Sequence, residues 1–374
     1  MARQHDLVAC IASPKALLLL ILSRIGLLLL VIFLLLVAVL VALAIATEIR
    51  ARGIEARTPN IGERTDVCGY SLNALHVPAG RNADLPPIVF IHGASGNLQD
   101  QTGAFLEPLR GRAELLFVDR RGHGYSERGG PENDTPDGQA NAIARLMEKK
   151  GIDRAIIVGH SFGGAITASF GVLHPDKVEG LVFLSAATHP WPGGVDWYYH
   201  LASAPVIGPI FCHTLALHAG MMRIDAATEH VFAPNPRPAD YVEKTGPQLV
   251  LRPSAFRSNA KDVAGLHAYV TDFAPRYRKI AKPTVVITGD ADKIVLEEIH
   301  SKGLARDIEG SELVWIKGLG HKPDYIVTDI VIAALEKIAG KERDLQSMAR
   351  AVEPRLVATS VDPGGSAPSL QAGQ

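Results

Sequence analysis

The sequence predicts an α/β protein: a doubly wound, mostly parallel sheet with an inserted helical cap, carried behind an N-terminal transmembrane helix. Three observations predict it. Short, wholly apolar runs recur with helical stretches between most of them, as strands buried on both faces of a parallel sheet require. One later segment, about 187–281, breaks the alternation and is rich in aromatic residues. Near the N-terminus, Ile25 to Ala46 carries no charge.

At ~1.5 Å per residue the 25–46 stretch spans about 30 Å of hydrocarbon. Arg24 is costly inside a bilayer but can reach phosphates from its edge, so the span begins after it and 1–24 forms an N-terminal segment. The rival reading is a cleaved signal peptide, for which Ala44-Ile45-Ala46 offers a cleavage pattern. An apolar core longer than the usual ~7 to 15 residues favours a retained anchor. Arg3, Lys15 and Arg24 balance Arg50, Arg52 and Arg57, and Arg24 abutting the span tips the orientation toward an internal N-terminus. The expectation is a single pass through a bacterial-type inner membrane, with the globular part outside the cytoplasm.

The 374 residues, at a formal net charge of −1, allow one large α/β domain with appendages. No basic stripe points to nucleic acid. The chain lacks H-E-x-x-H, paired C-x-x-C and G-x-x-x-x-G-K-[ST] patterns, so neither a metal site nor a nucleotide-phosphate site has support. Cys10, Cys68 and Cys212 are scattered and imply no disulfide framework.

Glu63 to Val77 suggests two short antiparallel strands around Cys68-Gly69-Tyr70. Buried strands follow at Ile88–Ile91, Leu115–Val118, Ala155–Val158, Leu181–Leu184, Val285–Ile287 and Leu313–Ile316. Asp137 to Lys149, Ser161 to Leu173 and Leu296 to Asp307 read as helices. The domain therefore covers 63–340. Within the cap, Trp191, Trp197, Tyr198, Tyr199, Phe211, Met221, Met222 and Phe232 suit either an apolar substrate pocket or the cap's own small core. Lys341 to Asp344 are all charged and 361–374 is rich in Gly, Pro, Ser and Gln, so 341–374 is expected to be a disordered tail.

The chemistry centres on Ile156 to Ala165, which reads as strand, sharp turn and helix around Gly159-His160-Ser161-Phe162-Gly163. A serine on such a turn is pushed clear of the sheet, which makes Ser161 the candidate nucleophile, and Gly159 and Gly163 leave room where a Cβ would collide. A serine nucleophile needs a base, and the base an acid to orient it. Asp292 follows the strand at Val285–Ile287 in Gly289-Asp290-Ala291-Asp292, and His321 follows the last strand in Gly318-Leu319-Gly320-His321. Asp290 is the rival acid. His189, His213, His230 and His300 read as surface or packing residues.

Taken with His92-Gly93 after the third strand and Asp119-Arg120-Arg121-Gly122-His123-Gly124-Tyr125-Ser126 after the fourth, these motifs resemble the α/β-hydrolase family over roughly 63–340. The order serine, acid, histidine is the family's own. The resemblance implies an oxyanion hole from the backbone N–H groups of Ala94 and Phe162, His92 as a residue that fixes the loop, and Asp119 and Arg121 as loop-fixing polar groups. It implies an ester or similar acyl bond as substrate, and no cofactor. Serine at position 161 argues against the epoxide hydrolases and haloalkane dehalogenases, which use aspartate there. Thioesterase, amidase, carbon–carbon hydrolase and haloperoxidase-like activities stay open, as does a non-catalytic membrane-tethered binding module. The anchor beside an apolar cap suggests an apolar ester that partitions into lipid.

Overall fold

The computed structural model describes residues 14–360. Its strands β1 (Glu63–Asp66), β2 (Ser71–Val77), β3 (Ile88–Ile91), β4 (Leu115–Val118), β5 (Ala155–His160), β6 (Val178–Leu184), β7 (Thr284–Gly289) and β8 (Glu312–Ile316) form one sheet in the order β1-β2-β4-β3-β5-β6-β7-β8. β1 and β2 pair antiparallel and β2 pairs antiparallel with β4; all other pairings are parallel. The apolar runs are continuous because β3, β4, β5 and β7 are buried at every position. Register aligns the carboxyl ends: Ile91 pairs with Gly159, His160 with Leu184, Leu184 with Ile287, and Ile287 with Val314. The loops after these strands therefore emerge along one edge of the sheet.

The helices are α1 (Pro14–Arg57), α2 (Leu98–Leu109), α3 (Pro136–Lys150) and α4 (Phe162–Leu173). Between β6 and β7 lie α5 (Trp197–Ser203), α6 (Ile207–Phe211), α7 (Leu217–Met221), α8 (Ile224–Phe232), α9 (Tyr241–Thr245) and α10 (Pro253–Phe273). The last are α11 (Glu297–Asp307), α12 (Pro323–Ile326), α13 (Thr328–Ile338) and α14 (Leu345–Ser360). Apolar side chains cover both sheet faces. Ile143 and Met147 of α3 and Ile166 and Phe170 of α4 cover one; Phe105 of α2, Leu335 of α13 and Leu356 of α14 cover the other. The second half of α10 joins the main core through Leu266, Val270 and Phe273, so the insertion ends by merging with the domain that carries it.

The apolar stretch 25–46 lies inside a longer helix than the sequence suggests. No proline follows Pro14 in α1, and Glu48, Arg50, Arg52 and Glu55 are good helix formers that carry it past the apolar part. That extension docks on the cap. Ala51 and Ile54 are buried against Leu217, Leu249, Val250 and Leu251, and His218 lies 3.1 Å from Thr47 Oγ1 and 3.0 Å from Arg50.

The expected tail from Lys341 is corrected over its first half. α14 packs along β8 and α13, with Leu345, Ala349 and Leu356 buried and Met348 and Val352 half-buried. Positions 345, 349, 352 and 356 share one helical face, a periodicity masked by the charged run before it and by Pro354 within it. Residues 361–374 lie outside the described residues.

Candidate active site

β5 ends at His160 and α4 begins at Phe162, so Ser161 alone makes the turn, at φ 52° and ψ −118°. A residue with a Cβ holds such a conformation only where its surroundings impose it. Here Ser161 N–H donates to Leu184 O (2.9 Å), and Ser161 O accepts from Gly164 N (2.9 Å) and Ala187 N (3.0 Å). A Cβ on Gly159 would strike Thr167 and the Gly163 carbonyl; one on Gly163 would strike the Ile91 carbonyl; and one on Gly93 would lie 3.0 Å from Ser161 Cβ. Four chain segments thus meet at the turn, with no room for a methyl group at Gly159 or Gly163 and room at Gly93 only if a neighbour gives by a few tenths of an ångström.

The loops after β7 and β8 bring Asp292 and His321 together. His321 Nδ1 lies 2.7 Å from Asp292 Oδ2, and both residues are buried. Asp292 Oδ1 accepts from Ile294 N (2.8 Å) and Val295 N (3.0 Å). Burial pushes the carboxyl up, but His321 and these N–H groups outweigh it and hold Asp292 below the usual carboxylate range. An ionised carboxylate at Nδ1 fixes the proton there and leaves His321 Nε2 as an acceptor. Ser161 and His321 border the same cavity. Asp290 serves a different purpose: its Oδ1 accepts from Gly318 N at 2.7 Å.

Ala94 and Phe162 border the cavity beside Ser161. As the first residue of α4, Phe162 carries one of the N–H groups that a helix start leaves without an intrahelical partner. His92 is fully buried, its Nδ1–H donating to Gly93 O (2.8 Å) and its Nε2 accepting from Arg120 N (3.0 Å). Burial and the Arg120 charge push its pKa well below the usual histidine value, so it is a neutral strut between two loops. Asp119 is likewise committed, accepting from Leu98 N (2.7 Å), Asn73 Nδ2 (2.7 Å) and Tyr125 N (2.8 Å). The Arg121 guanidinium stacks 3.5 Å from the Tyr70 ring, and His123 Nδ1 lies 3.1 Å from Arg121 O.

Several partners of this loop have no local sequence signal. Arg120 is buried, pairs with Asp262 (2.8 Å) and lies 4.3 Å from the Phe162 ring centroid; Asn259 Oδ1 accepts from Ser95 N (2.8 Å). Asn259 and Asp262 both sit on α10, far along the chain, so only the fold reveals their contact with the β3 and β4 loops.

A second group missed by sequence reasoning lies beside His321, where Asp100, His160 and Lys322 border the same cavity. The buried Lys322 Nζ lies 2.9 Å from both Asp100 Oδ2 and Asp324 Oδ2, with the rings of Phe232, Tyr241 and Tyr325 at 5.7, 5.7 and 5.0 Å. Asp100, Asp324 and His160 could otherwise resemble a metal-binding group, since their ligand atoms lie within 4.8 Å of one another. The lysine ammonium already supplies the positive charge that the carboxylates need. Burial opposes that charge, but the two carboxylates outweigh it and hold the lysine above its usual value. Next to it, His160 Nε2–H donates to His321 O at 2.8 Å.

Two lobes of the cavity meet at Ser161. One, of about 360 Å³, is walled by Trp191, Val195, Val263, Leu266 and Val295; the other, of about 480 Å³, is walled by Tyr198, Tyr199, Val231 and Val250 with Thr228 and His230. The remaining cap candidates go elsewhere. Phe211 packs on Phe256, Phe232 on Tyr241 and Met221 near α1, while Trp197 and Met222 face outward at 70% and 83% exposure. His230 is exposed and His300 is buried, as surface and packing residues are, and both also border the cavity. His300 Nδ1 accepts from Thr188 N (3.1 Å) and His189 N (3.0 Å), leaving the proton on Nε2, and burial pushes its pKa down to about 4.

A family model described as the alpha/beta hydrolase fold matches residues 86–323. The chain is 28% identical to the 2-(acetamidomethylene)succinate hydrolase of Mesorhizobium japonicum, covering 74% of this chain and 94% of that protein. It is 26% identical to the bifunctional esterase/perhydrolase of Acinetobacter calcoaceticus, covering 64% of this chain and 86% of that protein. A crystal structure of a membrane phospholipase A from a bacterium superposes with a TM-score of 0.58 at 21% identity, over 86% of this chain and 99% of the other; at that identity the likeness is one of fold.

Proposed function

The chain belongs to the α/β-hydrolase family, and from that premise we propose that it is a membrane-anchored serine hydrolase that cleaves a carboxylic ester or similar acyl bond. Ser161 Oγ attacks the substrate carbonyl while His321 Nε2 takes its proton. Asp292 keeps His321 in the required tautomer and stabilises the imidazolium as it forms. The N–H groups of Phe162 and Ala94 receive the developing oxyanion, where loss of one such donor typically lowers kcat about 10²- to 10³-fold. His321 then passes its proton to the leaving group, and water activated by the same histidine hydrolyses the acyl-enzyme.

The observation that carries the reading is the 2.7 Å contact of His321 Nδ1 with Asp292, at the cavity that also receives Ser161 from its strained turn. The apolar walls around Trp191 and Val263 favour an apolar acyl group. The membrane part rests on α1, a helix long and apolar enough to cross a bilayer. Arg24 at the edge of the 25–46 span favours an internal N-terminus and a catalytic domain outside the cytoplasm.

The deciding experiment is labelling of the full-length protein with a fluorophosphonate probe. Labelling should vanish in Ser161→Ala and fall sharply in Asp292→Asn. A folded wild type that resists the probe and hydrolyses no ester sinks the proposal and leaves a non-catalytic module on this fold. Among active preparations, faster turnover of long-chain than short-chain esters supports the apolar lobe as the acyl site.

A further inference from the structure

The cap carries an apolar surface that the catalytic reading does not use. From Trp197 to Met222 the sequence holds no Asp, Glu, Lys or Arg. These residues form α5 and then a continuous run through α6, a π-helical turn (Cys212–Ala216) and α7, the two pieces meeting at 112°. The inner side is buried: Ala202 and Cys212 pack with Ala260, Leu217 packs with Ala51 and Ile54 of α1, and Ala216 lies between them in the chain, also buried. The other turns Trp197, Val206, Ile207, Ile210, Leu215 and Met222 outward, each at least half exposed. Soluble surfaces scatter single apolar residues; a contiguous set on one bent helical face marks an interaction site.

The position of α1 identifies the partner. Leu40, Leu43 and Ala44, inside the apolar stretch, are already half-shielded, and Thr47, Ala51 and Ile54 continue the same face of the helix into burial against the cap. Taken over its whole length, α1 packs mainly on the Cys212–Ala216 turn of the cap. Leu40 lies about 9 Å before the end of the apolar stretch at ~1.5 Å per residue. A cap element alongside that level enters the outer part of any bilayer that α1 crosses, at the ~5–10 Å depth typical of interfacial helices.

We propose that the outward face of α5–α7 is a second membrane contact, immersed in the headgroup and upper acyl region of the bilayer beside α1, so that a lipid-borne ester reaches the Ser161 cavity directly from the membrane. The inference rests on the reading of α1 as a membrane span. The route is short: Tyr198 and Tyr199 of α5 wall the larger lobe while the neighbouring Trp197 faces out, and Val250 belongs both to that lobe and to the cluster seated on Ala51 and Ile54. The substrate class that fits is an ester with a long apolar tail held in a bilayer.

The test places an environment-sensitive fluorophore at single cysteines in the full chain, in a Cys10→Ser, Cys68→Ser background in which the buried Cys212 remains. The positions are Ile207→Cys and Met222→Cys on the cap, Leu35→Cys in α1, and Asp176→Cys at the far edge of the sheet. The protein is reconstituted in phosphatidylcholine–phosphatidylglycerol vesicles containing doxyl-labelled lipid. Shallow doxyl groups should quench the two cap probes, deep ones the Leu35 probe, and neither the Asp176 probe. Quenching at Leu35 without quenching at the cap overturns the cap contact and leaves the anchor intact; absence at Leu35 overturns the anchor and the cap contact with it. Chain-to-chain cross-linking at Met222→Cys with unquenched cap probes assigns the face to a second copy instead. In a second arm, Val206→Asp/Ile207→Asp/Met222→Asp should hydrolyse a short soluble ester at the wild-type rate and a long-chain glyceride in vesicles about tenfold more slowly. Equal rates on both substrates count against the proposal, while an inactive wild type on the soluble ester points to failure of the hydrolase reading alone.

Discussion

Ser161 keeps an unfavourable backbone conformation because its neighbours leave it no other, and Gly93 is the neighbour whose change separates positioning from folding. An added methyl at 93 meets Ser161 Cβ at 3.0 Å and His160 Nδ1 at 3.1 Å, so Ser161 or its loop must shift by a few tenths of an ångström. Since a misplacement of ~1 Å can cost about 10²-fold in rate, Gly93→Ala should lower kcat by roughly ten- to a hundred-fold with little change in melting temperature. Turnover and thermal denaturation of the same preparation check this. The buried histidines set a pH response at the same scale. His92, His123, His160 and His300 are all held below their ordinary pKa, each by burial first, His300 at about 4. The unfolded chain therefore binds more protons than the folded one below pH ~6.5, and each such group removes up to about 1.4 kcal/mol of stability per pH unit as pH falls from there toward its folded value. Asp292, held below its ordinary range, adds a further loss only below about pH 4. Urea midpoints should fall between pH 7.5 and 5.0, and His300→Gln should reduce that difference; a flat profile would contradict the buried neutral state.

Elements were legible where their period was unambiguous. The buried runs at β3 and β4 have the same limits in sequence and structure because a strand apolar at every position admits little else. α14 was not legible, since Lys341–Asp344 and Pro354 suggest an unstructured tail while the stripe Leu345, Ala349, Val352, Leu356 says helix. Truncation after Asp344 should therefore destabilise the domain by several kcal/mol, at about 1.5–3 kcal/mol for each large apolar side chain lost from the face of β8 and α13, which calorimetry of the truncated chain measures. The Lys322 cluster was illegible for a different reason: Lys322 and Asp324 lie within three residues of His321, but Asp100 comes from α2, and nothing near His321 announces that it closes the group. Removing the ammonium leaves two buried carboxylates unpaired, so Lys322→Met should cost about 3–5 kcal/mol. Pairing it with Asp100→Asn and Asp324→Asn should recover part of that loss. Because His321 is the adjacent residue and its carbonyl is held by His160, the single variant should also lose kcat at temperatures where it remains folded.

For the whole molecule, the sequence separates a long apolar helix, a sheet and a cap, and what it cannot convey is that α1 and the cap are one packed unit. Glu48 to Arg57 looks like a charged linker, and across a linker the α/β domain would turn freely relative to the apolar helix. The stripe Thr47, Ala51, Ile54 makes it instead a rigid strut, closed at its end by Thr58, whose carbonyl accepts from Tyr125, and by the Glu55–Arg252 ion pair at 2.6 Å. A docked helix opens only as often as its packing allows, so trypsin should cut slowly after Arg50, Arg52 and Arg57 although their side chains meet solvent. Ile54 is the test of that seam, being 2% exposed and surrounded by Leu217, Leu249 and Leu251. Ile54→Asp places an unpaired carboxylate among them, which the helix can escape only by lifting off the cap. Tryptic cleavage within 50–57 should then accelerate at least several-fold, while the sheet and its cavity, which α1 does not build, keep their activity on a soluble ester. Unchanged cleavage with intact folding would mean that the strut is held elsewhere along its length; faster cleavage together with a selective loss of activity on vesicle-borne esters would tie the orientation of the cavity to this single apolar seam.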